Sequence, residues 1–229
     1  MKIGIIGAMA VEVESLKSKI KDAVSERVSG IEFVSGELCG RSVVVAQCGI
    51  GKVFAAICAE AMIVRYGVDC VINTGVAGTL SQDIGILDIA ISSGVVQHDM
   101  DTSPLGDPVG LISGINVVEF PASQRLSSLV AQAAESMGKN YKLGVIASGD
   151  QFINSREKKS FIKDNFGAIA CEMEGGAIGH VCYVNGTEFV VVRAISDNAS
   201  GEADMEYPEM VKRAAAQSEA LIEATLNLM

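Results

Sequence analysis

The stretch Ala168-Ile169-Ala170-Cys171-Glu172-Met173-Glu174-Gly175, followed by Glu188-Phe189-Val190-Val191-Val192-Arg193-Ala194-Ile195-Ser196-Asp197, decides the fold. Residues 168–171, and Phe189–Val192 within the strand read over 188–195, are short apolar runs rich in small and β-branched residues, the composition of buried strands. The intervening Gly175–Val184 reads as a helix. The same alternation extends in both directions. Ile3–Ile6 reads as a strand and Ala10–Ile20 as a helix with Val13, Leu16 and Ile20 on one face. Val28–Leu38 reads as a strand pair turning at Ser29-Gly30, and Ser42–Ala46 as a strand. Lys52–Val64 is an alanine-rich helix, and Cys70–Asn73 a strand that ends in Thr74-Gly75-Val76-Ala77-Gly78. Leu87–Gln97 is β-branched, with Gly94 marking a bulge or bend. Asp99–Gly114 reads as a loop, Ser123–Met137 as a helix, Lys142–Ala147 as a strand and Arg156–Asp164 as a short helix; Met210–Leu228 closes the chain as an amphipathic helix. Strands alternating with helices imply one α/β domain over residues 1–229, its mostly parallel sheet covered on both faces. Ligands of such sheets bind beyond the carboxyl ends of the strands.

Composition narrows the function. Of 229 residues, 49% are hydrophobic and 20% charged, a globular balance able to bury a large core. A formal charge of −10 lacks the basic footprint of a nucleic-acid binder. The first residues show no signal-peptide pattern, and no run of apolar residues is long enough to span a membrane, so a cytoplasmic protein is expected. The six cysteines form no C-x-x-C pair and read as reduced, buried thiols. Two histidines build no zinc spacing, and no metal or cofactor is expected; His98-Asp99 with Asp101 reads as a solvated loop. Gly4-x-x-Gly7 is not a dinucleotide fingerprint. Gly49-Ile50-Gly51-Lys52-Val53 lacks both the upstream glycine and the hydroxyl residue of a phosphate loop.

The acids at the strand ends carry the chemistry. On a strand, Glu172 and Glu174 point to one side; at the start of a helix, both are favoured by its dipole and need no further role. Asp197 has the same alternative of capping a turn, and Glu12 that of a surface acid beside Glu14 and Lys17. Arg193 is the cation available to neutralise a buried glutamate.

Six segments together resemble the bacterial 5′-methylthioadenosine/S-adenosylhomocysteine nucleosidases of the nucleoside phosphorylase superfamily. They are M-K-I-G-I-I-G-A-M at 1–9 with Glu12, C-G-I-G-K-V at 48–53, N-T-G-V-A-G at 73–78, S-G-D-Q-F-I-N at 148–154, E-M-E at 172–174 and V-V-V-R-A-I-S-D at 190–197. The resemblance implies a nucleoside phosphorylase-like, three-layer α/β/α domain around a mixed, largely parallel twisted sheet. It implies hydrolysis of the N-glycosidic bond of methylthioadenosine and adenosylhomocysteine, and of 5′-deoxyadenosine, through an oxocarbenium-like transition state without a cofactor. By resemblance Asp197 protonates adenine N7, Glu12 positions the attacking water and Glu174 binds the ribose hydroxyls. Phe152 stacks on adenine and the Ile153 backbone reads its edge. Met173 packs beneath the ribose, and Met9 and Ile50 line the floor and the alkylthio side. Val76, Ala77 and Gly78 complete the wall, Ser196 supports Asp197, and Arg193 orients Glu172 or Glu174.

Departures from the family pattern are also legible. Val76 stands where some relatives carry serine, and Tyr207 where relatives often have phenylalanine. The loop 99–114 matches poorly, which leaves Leu105 or Pro108 to reach a partner's 5′ pocket in the expected homodimer. Gly175-Gly176 are expected to loosen the following helix by about 1 kcal/mol each relative to alanine. Three alternatives stand beside the hydrolase: a purine nucleoside phosphorylase, a futalosine hydrolase, and a non-catalytic nucleoside-binding protein.

Overall fold

Ten strands form one mixed sheet in the computed structural model, which describes residues 1–197 and 207–229, except for the side chains at 197, 207 and 208. The strands are β1 (Lys2–Gly7), β2 (Lys21–Val28), β3 (Ile31–Leu38), β4 (Arg41–Gln47), β5 (Cys70–Thr79), β6 (Ile89–Gln97), β7 (Glu119–Pro121), β8 (Tyr141–Ser148), β9 (Ala170–Glu172) and β10 (Glu188–Asp197). The helices are α1 (Glu14–Ser18), α2 (Lys52–Val64), α3 (Gln124–Ser136), α4 (Arg156–Phe166), α5 (Gly175–Asn185) and α6 (Tyr207–Leu228).

Parallel pairs run β4–β1–β5–β10 and β6–β8–β9. Antiparallel pairs β10–β6 and β5–β9 join these two blocks, so β5, β9, β8, β6 and β10 form a closed circuit. Alternation along the strands sorts side chains onto two faces. Ile6, Val44 and Ala46 pack with Ala55, Cys58, Ala59 and Met62 of α2 and with Ala177, Ile178 and Cys182 of α5. Ile3, Ile5, Val43 and Val45 pack with Leu16 of α1, Leu126 and Val130 of α3, and Ala214 and Leu221 of α6. The buried positions of α2 recur at helical spacing, which is why its sequence reads cleanly.

Several elements differ from the sequence reading, each for a local reason. The helix expected over Ala10–Ile20 is split into a 3-10 turn, Ala10–Glu12, and the short α1. Glu12 folds its carboxylate back onto the amides of Ala8 and Met9, and Val13 at φ −137° leaves the helical path. Strand β2 has mostly exposed residues and pairs only with β3. An edge strand open to water carries no apolar alternation, so its beginning is invisible in the sequence. The turn at Ser29-Gly30 has φ 50° and 81°, the mirror-image turn that suits a two-residue hairpin. Strand β5 continues through Thr74–Thr79, and the register of β6 against β8 shifts between Ser92 and Gly94, where the glycine implied a bulge. The cysteines are free thiols, all buried except the half-buried Cys39. Among the described residues no helix is long and apolar enough to cross a membrane.

Candidate active site

A change of neighbours along β5 opens the site. β1 pairs with β5 up to Asn73, and β9 takes over that edge only at Gly78. The amide of Val76 lies in the gap and donates instead to Glu12 Oε1 at 3.1 Å. Glu12 Oε2 accepts from the amides of Ala8 (2.8 Å) and Met9 (2.9 Å). An acid whose sequence alternative was a surface residue is therefore only 3% exposed, held by amides just beyond β1 and by one within β5. The approach depends on Gly75. A Cβ there would lie 2.6 Å from Glu12 Oε1 and 2.9 Å from Arg193 Nη1.

Glu172 and Glu174 are handled differently although two residues apart. Glu172 ends β9 and accepts from Arg193 Nη2, Ser148 Oγ and the amides of Glu174 (3.0 Å) and Gly175 (2.8 Å to Oε2). Glu174 sits at the N-cap of α5, and its Oε1 accepts from the Gly51 amide at 2.9 Å. Arg193 bonds Asn73 Oδ1 at 2.5 Å as well as Glu172, and lies 3.8 Å from Glu174 Oε2. It is 2% exposed and sits behind the carboxylates, so it does not line the cavity as a substrate-binding residue. A guanidinium beneath three acids neutralises them from the core side, because burying unpaired charge costs several kcal/mol. Gly175 and Gly176 have a packing role at the start of α5. A Cβ at 176 would lie 2.8 Å from the Val96 carbonyl oxygen, and the Gly176 amide reaches Ser148 Oγ at 2.5 Å. Glycine here lets the helix N-terminus press its amides onto Glu172 and Ser148.

Three acids around one cation cannot all stay ionised at equal ease. Burial pushes Glu12 above the usual carboxylate range, against the pull of Arg193 and the three amides. Burial and the neighbouring Glu172 push Glu174 up to about 7. For Glu172 burial acts in the same direction, but Arg193, Ser148 and the Gly175 amide outweigh it and hold the carboxyl below its ordinary value.

These acids open into a cavity of about 140 Å³. Of the residues singled out in the sequence, Met9, Glu12, Ile50, Val76, Ala77, Gly78, Phe152, Ile153, Glu172, Met173, Glu174 and Ser196 line it. Phe152 lines the cavity while 56% exposed, whereas Ile153 is buried. The backbone of Asp197 pairs with Gly78 at the cavity wall, but its side chain, like that of Tyr207, lies outside the described residues. Leu105 and Pro108 are exposed and do not line the cavity. Ala8, Gln151 and Cys171 line it too and were not singled out, although each adjoins a residue that was. Asn73, Ser148 and Gly75, which position the acids, fall within motifs quoted from the sequence without a role of their own. Lys52 is not a phosphate ligand: its Nζ bonds Asp99 Oδ1 at 2.6 Å and Gln97 Oε1 at 3.2 Å. Asp99, read as solvated, is thereby half-buried in an ion pair.

Comparison with known proteins gives a consistent picture. A family model described as the phosphorylase superfamily matches residues 2–227. A 5′-methylthioadenosine/S-adenosylhomocysteine nucleosidase of Haemophilus influenzae is 42% identical over 223 residues, 97% of this chain and 96% of that protein. The crystal structure of the nucleosidase of that name from Neisseria meningitidis, in complex with methylthio-immucillin-A, superposes with TM-score 0.95 at 33% identity, covering 100% of this chain and 99% of the other. A futalosine hydrolase of Helicobacter pylori superposes with TM-score 0.94 at 35% identity, covering 100% of this chain and 98% of that one.

Proposed function

The chain belongs to the 5′-methylthioadenosine/S-adenosylhomocysteine nucleosidases of the phosphorylase superfamily, and on that premise we propose how its cavity performs the hydrolysis. The substrates are 5′-methylthioadenosine and S-adenosylhomocysteine, with 5′-deoxyadenosine as a third; the products are adenine and the 5′-substituted ribose. The observation that carries the reading is Glu12. A carboxylate has about four acceptor sites, and backbone amides occupy three of them here. Glu12 lines the cavity, and its remaining acceptor site suits one water. Burial raises the proton affinity of Glu12, which suits a base near neutral pH.

As the bond from C1′ to adenine N9 breaks, the water oxygen bonds C1′ and its proton passes to Glu12. Asp197 delivers a proton to adenine N7, so adenine leaves neutral. Glu174 accepts hydrogen bonds from the 2′- and 3′-hydroxyls, and its negative charge stabilises the positive charge building on the ribose. Phe152 stacks on adenine, the Ile153 backbone reads its edge, and Ser196 supports Asp197. Met173 packs under the ribose, Met9 and Ile50 contact the 5′ side, and Val76, Ala77 and Gly78 form the opposite wall. Arg193 keeps Glu172 ionised and Glu174 in place without touching substrate.

A phosphorylase would need a cation or a cluster of hydroxyls for phosphate. Among the described residues no lysine or arginine lines the cavity, and Glu12 would repel the anion. A binding protein for a neutral nucleoside has no need of three converging acids. The reading extends to a cytoplasmic homodimer: Val53, Phe54 and Ile57 of α2 continue an exposed apolar surface from Ile50, and Leu105 is 84% exposed. In that dimer the segment Leu105–Pro108 reaches the partner's 5′ pocket.

The test is purine release from methylthioadenosine, adenosylhomocysteine, futalosine and inosine, with and without phosphate. Adenine and free 5′-substituted ribose are expected from the first two, independent of phosphate. Phosphate-dependent formation of ribose 1-phosphate overturns the hydrolase reading, and preference for futalosine moves the chain to the neighbouring activity.

A further inference from the structure

Resting on the nucleoside reading of the cavity, we propose that Asp99, which does not line it, is a positioning residue that couples the ribose wall to the adenine wall. The two walls come from distant parts of the chain. The Gly51 amide at the start of α2 holds Glu174 Oε1, while the segment after β8 carries Phe152 and Ile153. A closed ring of side chains joins them. The Lys52 amide donates to Asp150 Oδ1 at 2.8 Å, the Asp150 amide donates to Asp99 Oδ2 at 2.9 Å, and Lys52 Nζ donates to Asp99 Oδ1 at 2.6 Å. The ring is anchored to the sheet, because Nζ also donates to Gln97 Oε1 at 3.2 Å, and Gln97 Nε2 lies 3.3 Å from His180 Nδ1 of α5.

Asp99 holds both ends at once, one oxygen on the lysine that begins α2 and the other on the amide two residues before Phe152. Its surroundings favour the ionised form. Burial raises its carboxyl, but Lys52, the Asp150 amide and His98 outweigh that and hold it below the ordinary range. Fixing the spacing between walls favours a ligand that spans both over one that touches a single wall. Asp150 ties the segment to α2 directly, and Asp99 adds a second tie through the Lys52 side chain and the Asp150 amide.

The experiment compares Asp99→Ala, Asp150→Ala and the double variant with the wild-type protein, reading adenine Kd by calorimetry and kcat/KM for methylthioadenosine. Each single variant is expected to keep adenine Kd within threefold while kcat/KM falls tenfold or more. The double variant should be no worse than the poorer single one, as expected when two residues serve one device. Asp99→Asn keeps one carbonyl acceptor and should recover part of the loss. Equal losses for adenine and nucleoside, additive losses in the double variant, or unchanged kcat/KM in Asp99→Ala each overturn the coupling role. A wild-type protein inactive on methylthioadenosine refutes the nucleosidase reading instead, and the two failures are told apart by that control.

Discussion

Replacing Arg193 with methionine tests how the site tolerates its three acids. Methionine keeps most of the length and apolar volume of the arginine stem, so the change is chiefly electrostatic. The variant loses the bonds to Glu172 and Asn73 and the 3.8 Å approach to Glu174, all in a region where Arg193 is 2% exposed. Removing one partner of a buried ion pair costs about 3–5 kcal/mol. For a chain of this size each kcal/mol lowers Tm by about 2–4 °C, so a fall of about 6–20 °C is expected at neutral pH. The loss depends on pH with a definite sign. In the wild type the lowered carboxyl of Glu172 contributes stability above its unfolded pKa and loses it as pH falls. Without Arg193, Glu172 keeps only Ser148 and the amides against burial, and Glu12 and Glu174 lose the cation that pulled them down, so all three acids rise relative to the wild type. A raised acid contributes stability below its unfolded pKa and loses it as pH rises through the folded value. The gap between wild type and variant should therefore widen from pH 5 to pH 8. Thermal and urea melts across that range measure it. A gap below about 1 kcal/mol, or one independent of pH, would refute the account of Arg193 as the neutralising group.

Two further outcomes follow from the same geometry. Gly75→Ala should leave a folded protein with kcat lowered at least a hundredfold, since its Cβ would displace Glu12 Oε1 from the Val76 amide; circular dichroism and steady-state kinetics check this, and an unchanged kcat refutes it. The acid limb of kcat/KM against pH should lie above the usual carboxylate range, because Glu12 must be ionised to accept a proton and burial raises it. A limb near pH 4 would assign the base elsewhere.

Much of the fold is legible because burial writes itself into residue spacing. Helix α2 has the bounds its alanine-rich pattern implies, and β1, β4, β8 and β10 are apolar runs of strand length. The elements that escape notice are those without a buried face: the start of β2, the three-residue β7, and the turn in which Glu12 bends the expected first helix back on itself. The candidate site is legible in its cavity-lining residues, since they cluster at strand ends. Its supports are less so. Nothing near Asp99 announces that it faces Lys52 and Asp150, 47 and 51 residues away.

By itself the sequence determined the strand–helix alternation, the family and the identity of the acids, because these depend on local spacing and motif order. Only the tertiary structure decided which acid meets which partner. β5 trades β1 for β9 at Gly78, leaving the Val76 amide to Glu12, and Arg193 reaches Glu172 while standing off Glu174. The physical reason is that the charge state of a carboxylate follows from burial and from neighbours brought together across the sheet, and no spacing along one chain specifies those.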